Sequence, residues 1–276
     1  MWALEGSEPG LWSVGSDCLC EGRDAVAVSA LRVCKDPDDL AARAAELVIG
    51  CGREAAKQSR RFTLALAGGS TPERLYQLLG QNSHAAAVAW KLTYLFFGDE
   101  RFVPPDDARS NFCLVKRTLL DRPVVQPAGV FPMVAPGRSV RECATEYAAA
   151  LARFFSLGNG PPRFDLILLG LGEDGHTASL FPGAMALLVE HEWVTWTPPG
   201  AQPPPVNRIT LTFPVLNAAR QVVFLVAGKK KAPALRDVLE RKPAREVCPA
   251  AGVQPTDGKV TWLVDEDAAS LLTQRI

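Results

Sequence analysis

No window of this chain approaches the ~18 uninterrupted apolar residues that a membrane-crossing helix needs, so no membrane partner is expected. Net charge is missing too. Thirty Lys+Arg balance thirty Asp+Glu, which gives no basic surface for nucleic acid or an anionic bilayer. There is no C-x-x-C pair. The seven cysteines (Cys18, Cys20, Cys34, Cys51, Cys113, Cys143 and Cys248) are scattered and odd in number. That argues against a disulfide framework and for a reduced, cytoplasmic protein. Cys34, Cys51, Cys113 and Cys143 then act as small apolar residues. Cys18 and Cys20 alone do not make a zinc site, because no second pair completes it, and no other metal set is apparent. The G-x-G-x-x-G fingerprint is missing: in Gly170-Leu171-Gly172-Glu173-Asp174-Gly175 the glycines stand at other offsets. No lysine follows Gly68-Gly69 at Walker spacing, so a P-loop is absent as well. A dinucleotide is therefore not expected. The first 25 residues lack a basic segment leading into an apolar one, unlike a signal peptide. Their glycine, serine and acidic residues read as a flexible extension, with one domain over residues 26–276.

What is present alternates short apolar runs with helical ones. At 276 residues and 47% hydrophobic, the chain suffices for one large α/β domain. Val26–Val33, Phe62–Ala67, Leu92–Phe97, Phe164–Leu169, Trp193–Trp196, Ile209–Phe213, Gln221–Ala227 and Val260–Val264 read as strands. Helices are expected over Asp38–Gln58, from Ser70, and over Ser110–Leu120, Ser139–Phe155, Pro233–Glu240 and Glu266–Leu272. Thr197–Val206 carries five prolines in ten residues and must be an extended loop. This alternation predicts a Rossmann-like α/β fold: an open, mostly parallel sheet with helices on both faces.

Four strand ends carry glycine with polar or charged residues. The most informative is FDLILLGLGEDGHTASLFP, Phe164 to Pro182. A buried strand breaks into glycines, and Asp174 and His176 follow where open α/β sheets bind small molecules. Thr177 or Ser179 is placed to cap a short helix before Pro182. At Gly68-Gly69-Ser70-Thr71-Pro72-Glu73, tight backbone, two hydroxyls and a helix start favour a phosphate. A plain helix start with a Ser70/Glu73 capping box uses the same residues equally well. Gly98-Asp99-Glu100-Arg101 is either a solvated loop or a segment that orients a catalytic group and binds an anion. Lys229, Lys230 and Lys231 oppose the macrodipole of the helix they precede, which hints at a bound anion or else marks a solvated run. Arg208 begins a strand within reach of such a ligand. An anion cradle, an arginine, lysines and an Asp–His pair together point to a phosphorylated small metabolite handled by acid–base chemistry.

These residues resemble the 6-phosphogluconolactonase family, related in fold to glucosamine-6-phosphate deaminases. The resemblance rests on LALAGGSTPERLY, FFGDERFVPPDDARSN, FDLILLGLGEDGHTASLFPG and NRITLTFPVLNAAR with the GKKKA stretch after it. It covers nearly everything from Val26 onward. It implies hydrolysis of 6-phospho-D-glucono-1,5-lactone to 6-phosphogluconate in the oxidative pentose phosphate pathway, without metal or cofactor. His176 matches the family's catalytic histidine, a general base that deprotonates the attacking water. Imidazoles ionise near pH 6.5, which suits proton traffic in both directions near neutrality. Asp174 and Asp99 match acids of the fold family that fix the imidazole or order sugar hydroxyls. Phosphate binding passes to Gly68, Gly69, Ser70, Thr71, Arg208 and Lys231, the lysine that aligns best among three neighbours. Arg101 matches an arginine that meets phosphate or the developing carboxylate.

One departure separates the subfamilies. The deaminases place a glutamate five residues after the histidine, where this chain has Phe181. An apolar ring cannot transfer a proton, so amino-sugar-phosphate deamination and isomerisation are disfavoured. A catalytically silent sugar-phosphate sensor is a third reading, against which stands the lack of any helix-turn-helix or basic segment near the N-terminus. The expected assembly is a monomer or a weak homodimer.

Overall fold

The computed structural model describes residues 29–156, 160–200 and 203–273. The expected extension over residues 1–25, and Cys18 and Cys20 with it, lies outside them.

The core is one parallel sheet. Its strands are β1 (Ser29–Cys34), β2 (Phe62–Leu66), β3 (Thr93–Phe97), β5 (Gly129–Val130), β6 (Leu166–Leu169), β9 (Gln221–Val226) and β10 (Lys259–Asp265). They lie in the order β1-β10-β9-β6-β2-β3-β5, and every neighbouring pair is parallel. The central strands are apolar throughout because both faces are covered: all five residues of β2 and all four of β6 are buried. Helices are α1 (Pro37–Lys57), α2 (Ser70–Leu79), α3 (Asn82–Ala85), α4 (Asn111–Val115), α5 (Val140–Phe155), α6 (Phe213–Ala218) and α7 (Ala232–Arg236). Successive strand residues point to opposite faces. Phe96 of β3 packs on Phe154 and Phe155 of α5, while Phe97 meets Phe112 of α4. Helices thus cover both sides.

Strand order decides where a ligand can sit. From β2 the chain steps to β3 and β5 on one side, and β6, β9 and β10 fill the other. Loops leaving the carboxyl ends of β2 and β6 therefore diverge and open a crevice between them.

A second sheet refines the expectation of one open sheet. Three antiparallel strands, β4 (Asp99–Arg101), β8 (Arg208–Leu211) and β7 (Val194–Thr197), run in the order β4-β8-β7. Gly98 joins the two sheets: its N–H donates to Leu66 of β2 at 2.8 Å, and its carbonyl accepts from Leu211 of β8 at 2.9 Å. Asp99–Arg101 is consequently not a solvated loop, and Asp99 and Glu100 are both buried.

Other boundaries shift for local reasons. No helix follows His176; Thr177 forms an isolated bridge with Leu180 and donates to the Gly170 carbonyl instead of capping. Helix α2 is capped by Gly69 rather than by Ser70, with no side-chain cap bond. Glu73 pairs with Arg117 at 2.7 Å and closes no capping box. The helix from Ser110 passes into a π-helical turn at Lys116–Leu120, as α7 does at Asp237–Arg241. The last segment is only a 3-10 turn, Ala268–Leu271.

Candidate active site

The crevice at the switch point is a cleft of about 250 Å³, sized for one small metabolite rather than a polymer. Gly68, Gly69, Ser70 and Thr71 line it after β2, Asp99 and Arg101 after β3, and His176 after β6. Arg208 of β8 and Lys231 after β9 complete the wall. Nine of the ten residues singled out from sequence thus face one space. The tenth, Asp174, stands outside the lining and contacts His176 instead. Lys229 and Lys230 are exposed and do not line the cleft.

His176 is aimed by a tight turn. The Gly172 N–H donates to the His176 carbonyl at 2.8 Å, and the His176 N–H donates back to Asp174 Oδ1 at 3.2 Å. Asp174 Oδ1 lies 2.5 Å from His176 Nδ1. A carboxylate only accepts, so Nδ1 carries the proton and the Nε2 lone pair is left for chemistry. Nε2 makes no hydrogen bond among the described residues. Gly172 is required here by close approach: a side chain would overlap the His176 ring and the Asp174 carboxylate. Phe181 packs on the imidazole with centroids 4.7 Å apart. Asp99 does not touch His176; it accepts from Ser179 Oγ at 2.6 Å and from Asn111 Nδ2 at 3.3 Å. Of the two acids, Asp174 is the one that contacts the imidazole.

Other residues of the lining offer N–H groups, hydroxyls and cations. Gly69, at φ +106°, turns the chain into α2. The first-turn N–H groups of that helix have no intrahelical acceptor, and the Ser70 and Thr71 hydroxyls make no hydrogen bond among the described residues. Arg101 and Arg208 stand directly opposite each other across β4 and β8. Like charges in that register repel, and an anion between them removes the penalty. Arg208 is buried, which pulls its guanidinium below the ordinary arginine value; Asp99 opposes that shift and Arg101 adds to it. Its guanidinium sits 5.3 Å from the Phe181 ring centroid and donates to the carbonyls of Pro203 and Pro204. Arg101 Nη1 donates to Asn111 Oδ1 at 2.6 Å and to the Arg109 carbonyl at 3.0 Å, while its Nε is buried with no partner among the described residues. Lys231 is set by the turn at Gly228, φ +94°, whose N–H donates to both Asp265 carboxylate oxygens.

Three further residues shape the site; Asn111 and Asp265 escaped the sequence reading, and Glu100 entered it only within the Gly98–Arg101 segment. Asn111 lines the cleft, Glu100 organises the loop around it, and Asp265 fixes the lysine turn. Glu100 accepts from Arg101 N, Asn111 N, Phe112 N and Ser110 Oγ. Burial pushes its carboxyl from 4.5 up to about 6 against the pull of those bonds. The Ser-Asn start of α4 was a signal for the first two; nothing local marked the third. No cluster of three or more His, Cys, Asp or Glu side chains suited to a metal occurs among the described residues, and no described helix is long and apolar enough to cross a membrane.

Comparison with known proteins finds relatives over most of the chain. The family model described as glucosamine-6-phosphate isomerases/6-phosphogluconolactonase matches residues 35–262. A 6-phosphogluconolactonase of Bos taurus is 40% identical over 248 residues, 88% of this chain and 93% of its own length. One from Synechocystis sp. is 40% identical over 211 residues, 76% of this chain and 84% of its own. The solved structure of 6-phosphogluconolactonase from Trypanosoma cruzi superposes with a TM-score of 0.79 at 30% identity, covering 92% of this chain and 100% of that one.

Proposed function

The chain belongs to the glucosamine-6-phosphate isomerase/6-phosphogluconolactonase family, and within it we propose that this protein hydrolyses 6-phospho-D-glucono-1,5-lactone to 6-phospho-D-gluconate, a step of the oxidative pentose phosphate pathway. The observation that carries the reading is that His176, the Gly68–Thr71 turn, Arg208 and Lys231 line one cleft. Residues 26–276 form the catalytic unit in this reading. It works in a reducing compartment such as the cytoplasm, as suits its five described cysteines, all free thiols.

The sugar phosphate enters with its dianion against the Gly68–Thr71 turn, Arg208 and Lys231. Amide N–H groups at a helix start and two cations favour that end without touching the reacting carbon. The lactone carbonyl then lies toward His176. Nε2 takes a proton from water as the oxygen attacks C1, and Asp174 stabilises the imidazolium through Nδ1–H. Collapse of the tetrahedral intermediate breaks the bond from C1 to the ring oxygen. The imidazolium returns its proton to that oxygen, so a hydroxyl and a carboxylic acid result, and the acid ionises in solvent. Arg101 is the cation left to meet the negative charge that builds on the carbonyl oxygen. Phe181 supplies no proton to the sugar ring, which leaves ring opening for isomerisation without a catalyst.

The test is a pair of assays on the purified protein. Lactone hydrolysis well above the spontaneous rate, with no ammonia released from glucosamine 6-phosphate, is expected. Ammonia release without lactone hydrolysis would move the protein to the deaminase branch, and binding without either reaction would make it a sensor.

A further inference from the structure

Asn111 lines the cleft without bearing any acid–base chemistry. Its side chain is nonetheless committed at both ends. Nδ2 donates to the Asp99 carbonyl at 2.8 Å, and Oδ1 accepts from Arg101 Nη1 at 2.6 Å. The residue is 1% exposed, and its own N–H is held by Glu100 Oε1 at 2.7 Å. A side chain on Gly68 would fall inside the Asn111 amide, so that amide rests directly on the backbone of the phosphate turn. Asp99 in turn accepts from Ser179 Oγ, three residues beyond His176. A buried polar chain therefore runs Ser179–Asp99–Asn111–Arg101 and passes against Gly68.

We propose that Asn111 is a positioning residue that acts through Arg101. Its amide fixes the guanidinium on the cleft wall and sets the spacing between Arg101 and the Gly68–Thr71 turn. A primary amide suits the place because it donates to a carbonyl and accepts from a cation at once. Aspartate would add an anion beside the buried Asp99 and Glu100. Leucine would fill the same volume but leave the Asp99 carbonyl without that donor. The placement also explains Gly68: the turn needs glycine there because the Asn111 amide occupies the space a side chain would take. Misplacing a charge by about 1 Å in a site of this kind costs on the order of a hundredfold in rate.

The inference rests on the lactonase reading for its substrate, and a double-mutant cycle separates the two. Wild type, Asn111→Ala, Arg101→Ala and the double variant are compared for lactone kcat/KM, with thermal unfolding measured on each. Loss of about tenfold or more from Asn111→Ala in wild type, but less than about twofold in the Arg101→Ala background, is expected for residues acting as a unit. An equal loss in both backgrounds, or none in either, overturns the proposal. Asn111→Leu takes the place of the alanine variant if that one does not fold. Should wild type fail to hydrolyse the lactone, the lactonase reading falls. The cycle is then read from the affinity for inorganic phosphate, where non-additive losses support Asn111 as a positioning residue and additive ones refute it.

Discussion

At the scale of single residues, the site depends on side chains that each touch two others. Phe181 illustrates this: its ring lies against both the imidazole of His176 and the guanidinium of Arg208. It is an apolar platform shared by imidazole and guanidinium, worth about 0.5–2 kcal/mol on the cation side. In the proposed reading Arg208 holds the end of the ligand that does not react. Its contact is then the same in ground and transition states, so Arg208→Ala is expected to raise KM by about ten- to a hundredfold, the cost of a charged hydrogen bond. Steady-state kinetics checks this; a fall in kcat at unchanged KM would instead put Arg208 in the chemical step.

At the scale of elements, the strand ends that form the cleft are fixed by groups remote from it. Tyr76 of α2 donates to the Ala67 carbonyl at 2.7 Å and accepts from the Ala67 N–H at 3.0 Å. Tyr147 of α5 does the same for Phe97 at 3.1 and 2.9 Å. Both hydroxyls are buried, which raises their pKa above the ordinary tyrosine value. Each tyrosine satisfies the backbone where β2 or β3 ends, one residue before the glycine that lines the cleft. Removing the hydroxyl strands two buried backbone groups, so Tyr76→Phe should lower unfolding free energy by about 1–3 kcal/mol in denaturant titration. A change below about 0.5 kcal/mol would show that the Ala67 backbone finds other partners.

Glu100 makes the corresponding prediction in pH. Its folded pKa of about 6 exceeds its ordinary 4.5, so between those values the folded protein holds a proton that the unfolded chain has released. Its contribution to stability is therefore full below pH 4.5 and is lost as pH rises through 6, by about 2 kcal/mol in all. Glu100→Gln cannot titrate. Unfolding free energies from pH 4.5 to 6.5 should fall more steeply in wild type than in the variant. Parallel slopes would place the Glu100 carboxyl at its ordinary value.

At the scale of the whole molecule, the sheet's order brings together residues as far apart in sequence as Gly68 and Lys231. Much of this was legible because each cleft loop follows an apolar strand and announces itself by glycine beside charge. The Asp174–His176 pair was visible too, two residues apart, but whether Asp174 or Asp99 meets the imidazole was not. What stayed hidden depends on contacts between distant segments. Asp99–Arg101 is too short and polar to show a strand period, and it becomes one only because β8 lies beside it. The Asn111 amide rests on Gly68, forty-three positions away in sequence. The capping box expected at Ser70 and Glu73 lost to tertiary structure: Arg117 takes the acid and Gly69 takes the cap.

The central claim is that one imidazole activates water while a separate wall grips the phosphate. It is tested most directly by comparing wild type with His176→Ala for lactone turnover above the spontaneous rate and for 6-phosphogluconate affinity. The account predicts that kcat falls by roughly 10²–10⁴ while affinity stays within about threefold, because a general base acts on the transition state alone. Equal turnover by the two proteins, or an affinity loss as large as the rate loss, would contradict it.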